Sequence, residues 1–402
     1  MSIVFLNKSF FTSLLLFLFL LLATASQALA QKNLRKYSND FLSIGVGARA
    51  AAMGNTQTAT VNNVNAGYWN PAGLTQLKHF QLGLMHNEWF ASVAKYDYVA
   101  FATPITNNKR AIGFSAIRLG VDDIPNTLNL VAPDGSINYN NITTFSAADY
   151  AFLVSYAQTL KKISIGTNAK VIHRAVGKFA KAWGVGLDVA LLYKTKKLNV
   201  GVTVKDLTFT PVRWSTSFTE EEQTQLQLSG NLIPLNTTEL AGQKLSAGIG
   251  YRFPMGKKAG LTLAADFDFT FDGKRNTLVS SDILSIDPHA GLEFDLNNIV
   301  FLRAGINNIQ KVMDDAGNPQ STTAVQPNFG AGFRVKEIQI DYALAANRMA
   351  EGIYSHIISL QLDIFKRKNK PAAPKAVPLL QQPNPEQPLT PTDTTPENDD
   401  NK

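Results

Sequence analysis

From His79 onward the chain alternates apolar and polar residues one for one in runs of about ten, each run ended by a turn. Residues 147–157 put Ala148, Tyr150, Phe152, Val154 and Tyr156 on one face and Asp149, Ala151 and Ser155 on the other. Residues 259–272 put Leu261, Leu263, Phe267, Phe269 and Phe271 opposite Thr262, Asp266, Asp268, Thr270 and Asp272. A period of two residues is that of a strand with two different faces, not of a helix. Fourteen such segments are predicted: 79–87, 94–104, 110–119, 147–160, 162–173, 183–194, 197–206, 243–253, 259–272, 286–296, 298–307, 326–336, 337–346 and 355–365. Long connections (120–146, 174–182, 207–242, 273–285, 308–325, 347–354) alternate with tight ones near Asn107, Lys161, Thr195, Gly256, Asn297 and Lys336. An even strand count with long loops on one side and short turns on the other is the pattern of an antiparallel transmembrane barrel.

A soluble sandwich also alternates, so the polar face decides between them. Here it carries Gly184, Gly186, Gly248, Gly250, Gly330 and Gly332. Glycine weakens a strand unless another backbone comes close, so these positions predict a lumen packed against an internal plug. The charges Asp149, Lys170, Asp188, Lys205, Asp266, Asp268, Glu293, Arg303 and Asp341 share that face, leaving the apolar face almost uncharged. An Arg or Lys turned to lipid at the midplane costs about 2–4 kcal/mol, so slipping a few strands by one residue would consume the ~5–15 kcal/mol of ordinary folding stability. Outward aromatics at Tyr156, Trp183, Tyr251, Phe253, Phe271 and Phe329 suit interfacial girdles.

The two ends differ in kind from the strands. Residues 1–30 read as a signal peptide: Lys8, an apolar run over 14–22, and Ala28-Leu29-Ala30 before Gln31; a retained membrane anchor is the alternative. Residues 366–402 hold 8 of the 18 prolines and read as a disordered periplasmic tail, either a passive spacer or a docking segment. The remaining composition narrows the function. Of 402 residues only 17% are charged, against about 25% in soluble domains, and the net charge of +7 comes without the basic stripe that nucleic acid requires. Zero cysteines exclude disulfides, thiol nucleophiles and Cys-ligated metals.

Residues 31–78 precede the first strand and form a small-residue segment. It contains Gly45-Val46-Gly47-Ala48-Arg49-Ala50, then Met53-Gly54, then Trp69-Asn70-Pro71-Ala72-Gly73-Leu74. The first stretch is not a dinucleotide loop, because no βαβ unit follows and position 50 is Ala. These motifs over residues 41–75, followed by fourteen strands, resemble the FadL-like outer-membrane barrels, and more closely their PorV/PorQ branch, associated with type IX secretion in Bacteroidetes. The stretch reads Gly-Val-Gly-Ala-Arg where the PorV pattern has Ser-Pro-Asp-Ala-Arg, a departure from the core secretion partner. The resemblance implies an all-β, 14-stranded barrel (79–365) with an N-terminal hatch (31–78) inside the lumen, and it marks Gly45, Gly47, Arg49, Met53, Gly54, Asn70 and Pro71 as hatch positions.

No catalytic constellation is present. His79, His86, His173, His289 and His356 are dispersed without metal-ligand spacing and read as strand-end or lumenal; no metal or cofactor is expected. Asp266 and Asp268 could form an acid pair, but a structural charge network with Arg49, Lys170 and Arg303 is the favoured reading, extending to Asp149, Asp188, Glu293 and Asp341. Loop 207–242 is rich in apolar residues: Phe209, Val212, Trp214 and Phe218, then Leu226, Leu228 and Leu232, with a helix start at Thr219 before three glutamates. Three uses stay open for it: folding over the barrel mouth, docking a protein, or lining a pocket for a hydrophobic ligand. The expectation is therefore a non-enzymatic protein in outer-membrane lipid, multi-pass with periplasmic termini. It would serve type IX secretion by docking cargo or subunits through its loops; the alternative is a FadL-type transporter of hydrophobic molecules such as fatty acids.

Overall fold

A computed structural model describes residues 37–89, 92–105, 109–131, 135–312, 322–346 and 354–365. The expected signal peptide, the tail 366–402 and residues 31–36 of the hatch lie outside them.

Among the described residues seventeen strands form one sheet, and fourteen of them close an antiparallel barrel. The barrel strands are β1 (Phe80–Trp89), β2 (Ala94–Ile105), β3 (Arg110–Asn126), β4 (Thr143–Leu160), β5 (Ile163–Val176), β6 (Ala180–Lys194), β7 (Leu198–Lys205), β10 (Lys244–Met255), β11 (Ala259–Thr270), β13 (Ser285–Leu296), β14 (Val300–Val312), β15 (Thr322–Val335), β16 (Ile338–Ala346) and β17 (Tyr354–Ile364). Three short strands belong to the loop end: β8 (Thr210–Thr216), β9 (Thr238–Ala241) and β12 (Val279–Ser280). Each barrel strand pairs with its sequence neighbour, and β1 pairs with β17, from Phe80 opposite Ile364 to Glu88 opposite His356, so no edge is left. Closure satisfies every ladder, which a spanning sheet requires.

The predicted facing holds. Val154, Val185, Phe329 and Leu302 are 60%, 59%, 57% and 53% exposed on the outer wall, whereas their sequence neighbours Leu153, Gly184, Asn328 and Arg303 are buried. Leucines and phenylalanines therefore look outward, rather than at each other across two layers. The strands run longer than the sequence pattern indicated, because pairing continues past the last strictly alternating residue. The expected loop 174–182 shrinks to the turn 177–179, with Gly177 at φ +50, and the loop 120–146 to 127–142.

The wall is broken once. β6 pairs with β7 from Val189 opposite Val204, then with β8 from Gly184 opposite Val212, so β8 prolongs β7 after an insertion. Asp206 (φ +56) and Phe209 (φ +54) turn the chain there. β9 prolongs β10 on the other side, pairing Ala241 with Thr210.

Residues 38–77 fill the lumen. They contain α1 (Ala48–Ala52), α2 (Ala66–Trp69) and 3-10 turns at Asp40–Ser43 and Pro71–Gln76. Ala48, Ala52, Met53, Ala66, Asn70, Ala72 and Leu74 are wholly buried. Asn70 shows why Trp-Asn-Pro-Ala-Gly forms a turn here. Its Oδ1 accepts from Ala72 N (3.1 Å), Pro71 follows at the first helical position, and its Nδ2 donates to Thr58 O (2.7 Å) and to Leu191 O of the wall (3.2 Å).

Glycines let this segment lie flush on the wall. A Cβ at Gly291 or Gly305, which face each other across β13 and β14, would overlap the Met53 backbone; one at Gly201 would meet Thr58 O, and one at Gly166 the Pro71-Ala72 peptide. Gly248, Gly250 and Gly330 likewise face Thr58, Thr60 and Ala52. Gly184 and Gly186 do not touch the hatch: the space in front of them is taken by Pro211, Val212 and Thr210 of β8 and by Lys170.

Replacing Gly305 by Val is expected to unseat residues 53–54 at a cost of about 1–3 kcal/mol, the usual range for overpacking. The readout is a lower unfolding temperature together with faster protease cleavage within 45–60 in the folded, detergent-solubilised barrel; unchanged cleavage would show that the segment does not rest on this wall.

Candidate functional site

The lumenal charges expected to form one network resolve into four groups. In the first, Arg49 of α1 grips Glu293 of β13 with two hydrogen bonds (Nε–Oε2 2.8 Å, Nη2–Oε1 3.1 Å) and Gln57 with a third (3.0 Å). Arg303 of β14 bridges the same Glu293 (2.7 Å) and Asp341 of β16 (2.7 Å), and Asp341 also accepts from Gln339 (2.8 Å). Two guanidiniums and two carboxylates thus balance in a nearly dry space and tie the hatch to β13, β14 and β16.

In the second group, the Lys170 ammonium of β5 lies 2.7 Å from both Asp188 and Asp206. Asp206 N donates to Asp188 (2.9 Å), so this group fixes the break between β7 and β8. In the third, Lys244 pairs with Asp268 at 2.7 Å, and His289 approaches the same carboxylate at 3.4 Å while its Nδ1 meets Gly54 O at 3.0 Å. Asp266 accepts the Thr58 amide at 2.7 Å. The expected partners of Asp266 and Asp268, namely Arg49, Lys170 and Arg303, are thereby corrected: each of those cations is taken by a carboxylate closer along the wall. The fourth group is Arg174 with Asp149, a two-pronged contact at 2.8 and 3.0 Å.

Above the hatch, at the long-loop end, lies a cavity of about 390 Å³. Leu42, Ile44, Met85, Trp89, Ala345 and Ile357 line it from the hatch and from β1, β16 and β17. Lys205, Lys244, Asp266, Asp268 and Arg275 line it from β7, β10, β11 and the loop that follows. These two strand groups stand about half a circumference apart in the strand order, so an apolar patch, with Asn87 of β1 set in it and Asn307, Gln326 and Asn328 of β14 and β15 beside it, faces a charged side. Tyr68 and Trp69 form part of its floor. The Lys205 ammonium lies 4.3 Å from the Tyr68 ring centroid and 5.5 Å from that of Trp69. Trp69 Nε1 donates to Val46 O (2.9 Å) and Gly47 N donates to Met85 Sδ (2.9 Å), which keeps Gly45 and Gly47 at the cavity edge.

Of the expected hatch residues, the structure brings Gly45 and Gly47 to the cavity, and puts Arg49, Met53, Gly54, Asn70 and Pro71 into the packing below it. Lys205, Lys244, Arg275, Tyr68 and Trp69 were not among the expected site residues. The two lysines end strands on the glycine-bearing face, which was a usable signal, but Arg275 reaches the cavity from a loop, which alternation does not register.

The apolar residues of loop 207–242 separate into two sets. Val212 is wholly buried in the wall extension, so it is not a docking residue. Phe209 and Trp214 are half-buried at the rim, Trp214 under the Arg174 guanidinium (5.1 Å), and Phe218 stacks on Phe179 at 5.6 Å. Leu226 is half-buried, but Leu228 and Leu232 are 64% and 91% exposed. Between them α3 (Glu220–Leu228) begins as expected: Glu222 N donates to Thr219 Oγ1 (3.3 Å) and Thr219 N to Glu222 Oε2 (3.0 Å), a capping box. The histidines are also sorted. His289 is lumenal, whereas His86, His173 and His356 face outward near the loop end, not into the lumen.

Removing the Lys170 charge in Lys170→Met strands two carboxylates and is expected to cost about 3–5 kcal/mol, measured as a fall in unfolding temperature. The double change to Lys170→Met with Asp188→Leu should recover part of it. For α3, Lys178 bonded to Glu222 at 2.7 Å holds that carboxyl below its ordinary value, and the Thr219 amide adds to this. A depressed carboxyl stabilises above its unfolded pKa of about 4.5 and loses this effect as pH falls through the folded value. Amide exchange of 220–228, corrected for intrinsic rate, should therefore show equal protection at pH 7 and 5.5 and loss below about pH 4.

Comparison with known proteins adds the following. An uncharacterised protein family, UPF0164, matches residues 21–215, just under half of the chain. No curated protein matches the sequence. Among solved structures, the Pseudomonas putida toluene transporter TodX superposes with a TM-score of 0.52 at 14% identity, covering 80% of this chain and 99% of its own. The CymD monoaromatic hydrocarbon channel does so at 0.50 and 15% identity, covering 81% and 99%. A Pseudomonas aeruginosa FadL homologue gives 0.47 at 10% identity, covering 79% and 98%. At such identities the likeness is one of fold: this chain has the closed, fourteen-stranded antiparallel barrel that TodX and CymD also have.

Proposed function

We propose that this protein is a non-enzymatic conduit that takes a hydrophobic small molecule into the outer membrane or across it. Its long loops would face the exterior, and its short turns and both termini the periplasm. The observation that carries this reading is the two-sided cavity of about 390 Å³, seated at the loop-end mouth and floored by the hatch. Its volume fits a small organic molecule, and the apolar arc of Leu42, Ile44, Met85, Trp89 and Ile357 would take the hydrocarbon part. Lys205, Lys244 and Arg275 on the facing side would meet a polar end. Passage beyond the cavity requires the hatch to move, because residues 44–77 fill the lumen beneath it. TodX is named for toluene and CymD for monoaromatic hydrocarbons, which supports a related cargo here.

A second reading has its own observation. Leu228, Leu232 and Leu235 are 64%, 91% and 76% exposed on one loop, more apolar surface than a mere gate needs. These leucines fit an accessory role in type IX secretion of the PorV/PorQ kind, docking cargo or secretion subunits through the loop.

Because Trp69 and Trp89 line the cavity, a bound ligand should quench intrinsic fluorescence. Titration with monoaromatic and alkyl-chain ligands is expected to saturate, and Thr277→Trp, which fills the cavity from its loop, should weaken binding at least about tenfold (~1.4 kcal/mol). Failure of every such ligand to bind, with stable co-purification of secretion subunits that Leu232→Asp abolishes, would replace the first reading by the second.

A further inference from the structure

One ladder row on the outer wall differs from all those beside it. Following directly opposed residues from strand to strand gives His86, Asp97, Arg118, Tyr150, His173, Trp183 and Arg213, across β1 to β6 and β8. The next outward row toward the short turns is Leu84, Val99, Ala116, Phe152, Val171 and Val185. Apolar chains thus give way to aromatic and ionised ones within a single residue pair on six consecutive strands. Ionised side chains at hydrocarbon depth are costly, so this row sits where the lipid headgroups begin.

The row has two unlike halves. On β1–β3 the cations are neutralised on the surface itself: His86 meets Asp97 at 2.7 Å, Arg118 meets Asp97 at 3.3 Å, and Lys95, one row higher, meets Asp122 at 3.3 Å. On β6 and β8 no such neutralisation is found. Arg213 and Lys181 are exposed, and the described outward residues around them on β5, β6, β8 and β9 are His173, Ala175, Trp183, Pro211, Ser215 and Thr238, none of them acidic. Lys181 lies opposite Ser215 and Trp183 opposite Arg213, which makes the two cations diagonal neighbours roughly 7–8 Å apart at the backbone, close enough for both to reach one anion. Beside them Trp183, 57% exposed, stacks against His173 at 4.2 Å and forms an apolar shelf at the same level. Around the rest of the barrel, the described outward positions of β10, β11, β13, β15, β16 and β17, and those of β14 from Val300 to Ile306, carry no Asp, Glu, Lys or Arg.

We propose that Lys181 and Arg213 form a fixed binding site for the phosphate of a phosphorylated glycolipid in the outer leaflet, its acyl chains lying along Val171, Val185 and Leu187 below. A guanidinium fork and an ammonium, unpaired and set above a hydrocarbon wall, match a doubly charged phosphate better than a protein carboxylate. The site rests on the barrel and on the outward orientation of its loops, and is independent of what the cavity carries.

The test uses the purified full-length barrel in detergent, titrated with bisphosphorylated lipid A, its dephosphorylated counterpart and phosphatidylglycerol, with bound lipid counted by native mass spectrometry. Bisphosphorylated lipid A is expected to be retained preferentially. Lys181→Gln and Arg213→Gln should each lower its affinity about fivefold, and the double variant roughly 25-fold, as expected for one basic group at an anionic lipid surface each. Arg118→Gln, whose guanidinium is already paired, should change it little. Equal retention by the double variant, or equal binding of the dephosphorylated lipid or of phosphatidylglycerol, would overturn the proposal. Heat-modifiable gel mobility reports that each variant is folded, and either single variant suffices if the double one is not.

Discussion

Direct backbone contact between the barrel wall and the segment inside it is the constraint from which the remaining structure follows. A fourteen-stranded barrel is too wide for its own inward side chains to fill, so its interior must be either water or another piece of chain. Here Met53, Thr58 and the Pro71-Ala72 peptide approach so closely that only glycine fits beneath them, at Gly291, Gly305, Gly201 and Gly166. Each glycine weakens its strand slightly, and the weakness is offset by the burial it permits. The hatch in turn must be built of small residues, which is why Ala48, Ala52, Ala66 and Ala72 recur along it.

Polar contacts then decide where along the lumen this segment stops. Arg49 on Glu293 and Gly54 O on His289 join the hatch to β13, Thr58 N on Asp266 joins it to β11, and Asn70 on Leu191 O to β6. Such contacts are directional, so the packing has one seat rather than a continuum of them. The seat leaves space at the loop end of the lumen, and that space is the cavity. Its two-sidedness follows from the same placement, because the 3-10 turn at Asp40–Ser43 and the following Ile44 add apolar surface while β7, β10 and β11 end in lysines and aspartates.

The break between β7 and β8 shows a similar economy. Lys170 gathers Asp188 and Asp206 in a dry space, and the second aspartate stands at the positive-φ turn that ends β7. The strand pair thereby leaves its register by a few residues without losing its place in the wall, and Val212 becomes lumen filling instead of loop surface. This is the one site where apolar composition in a connection pointed to the wrong environment, since a valine in a broken strand and a valine in a docking loop look alike one residue at a time.

Alternation along the chain determined the barrel strands, their number, which face points outward and which residues share the lumen, because a period of two residues is local. Of the glycines read on the inward face, Gly248, Gly250 and Gly330 lie against the inner segment, whereas Gly184, Gly186 and Gly332 lie against β8 or lumenal charges of the wall; Thr219 before three glutamates announced a helix. Who pairs with whom was decided only by closure of the sheet. Arg49 and Glu293 are 244 residues apart, and the partners of Asp268 come from β10 and β13 rather than from the cations that sequence favoured. The cavity, with Lys205 over Tyr68 and Trp69, and the outer row from His86 to Arg213 likewise arise from register across many strands. Register is a relation between distant segments, fixed by hydrogen-bond ladders, and no single stretch of sequence carries it.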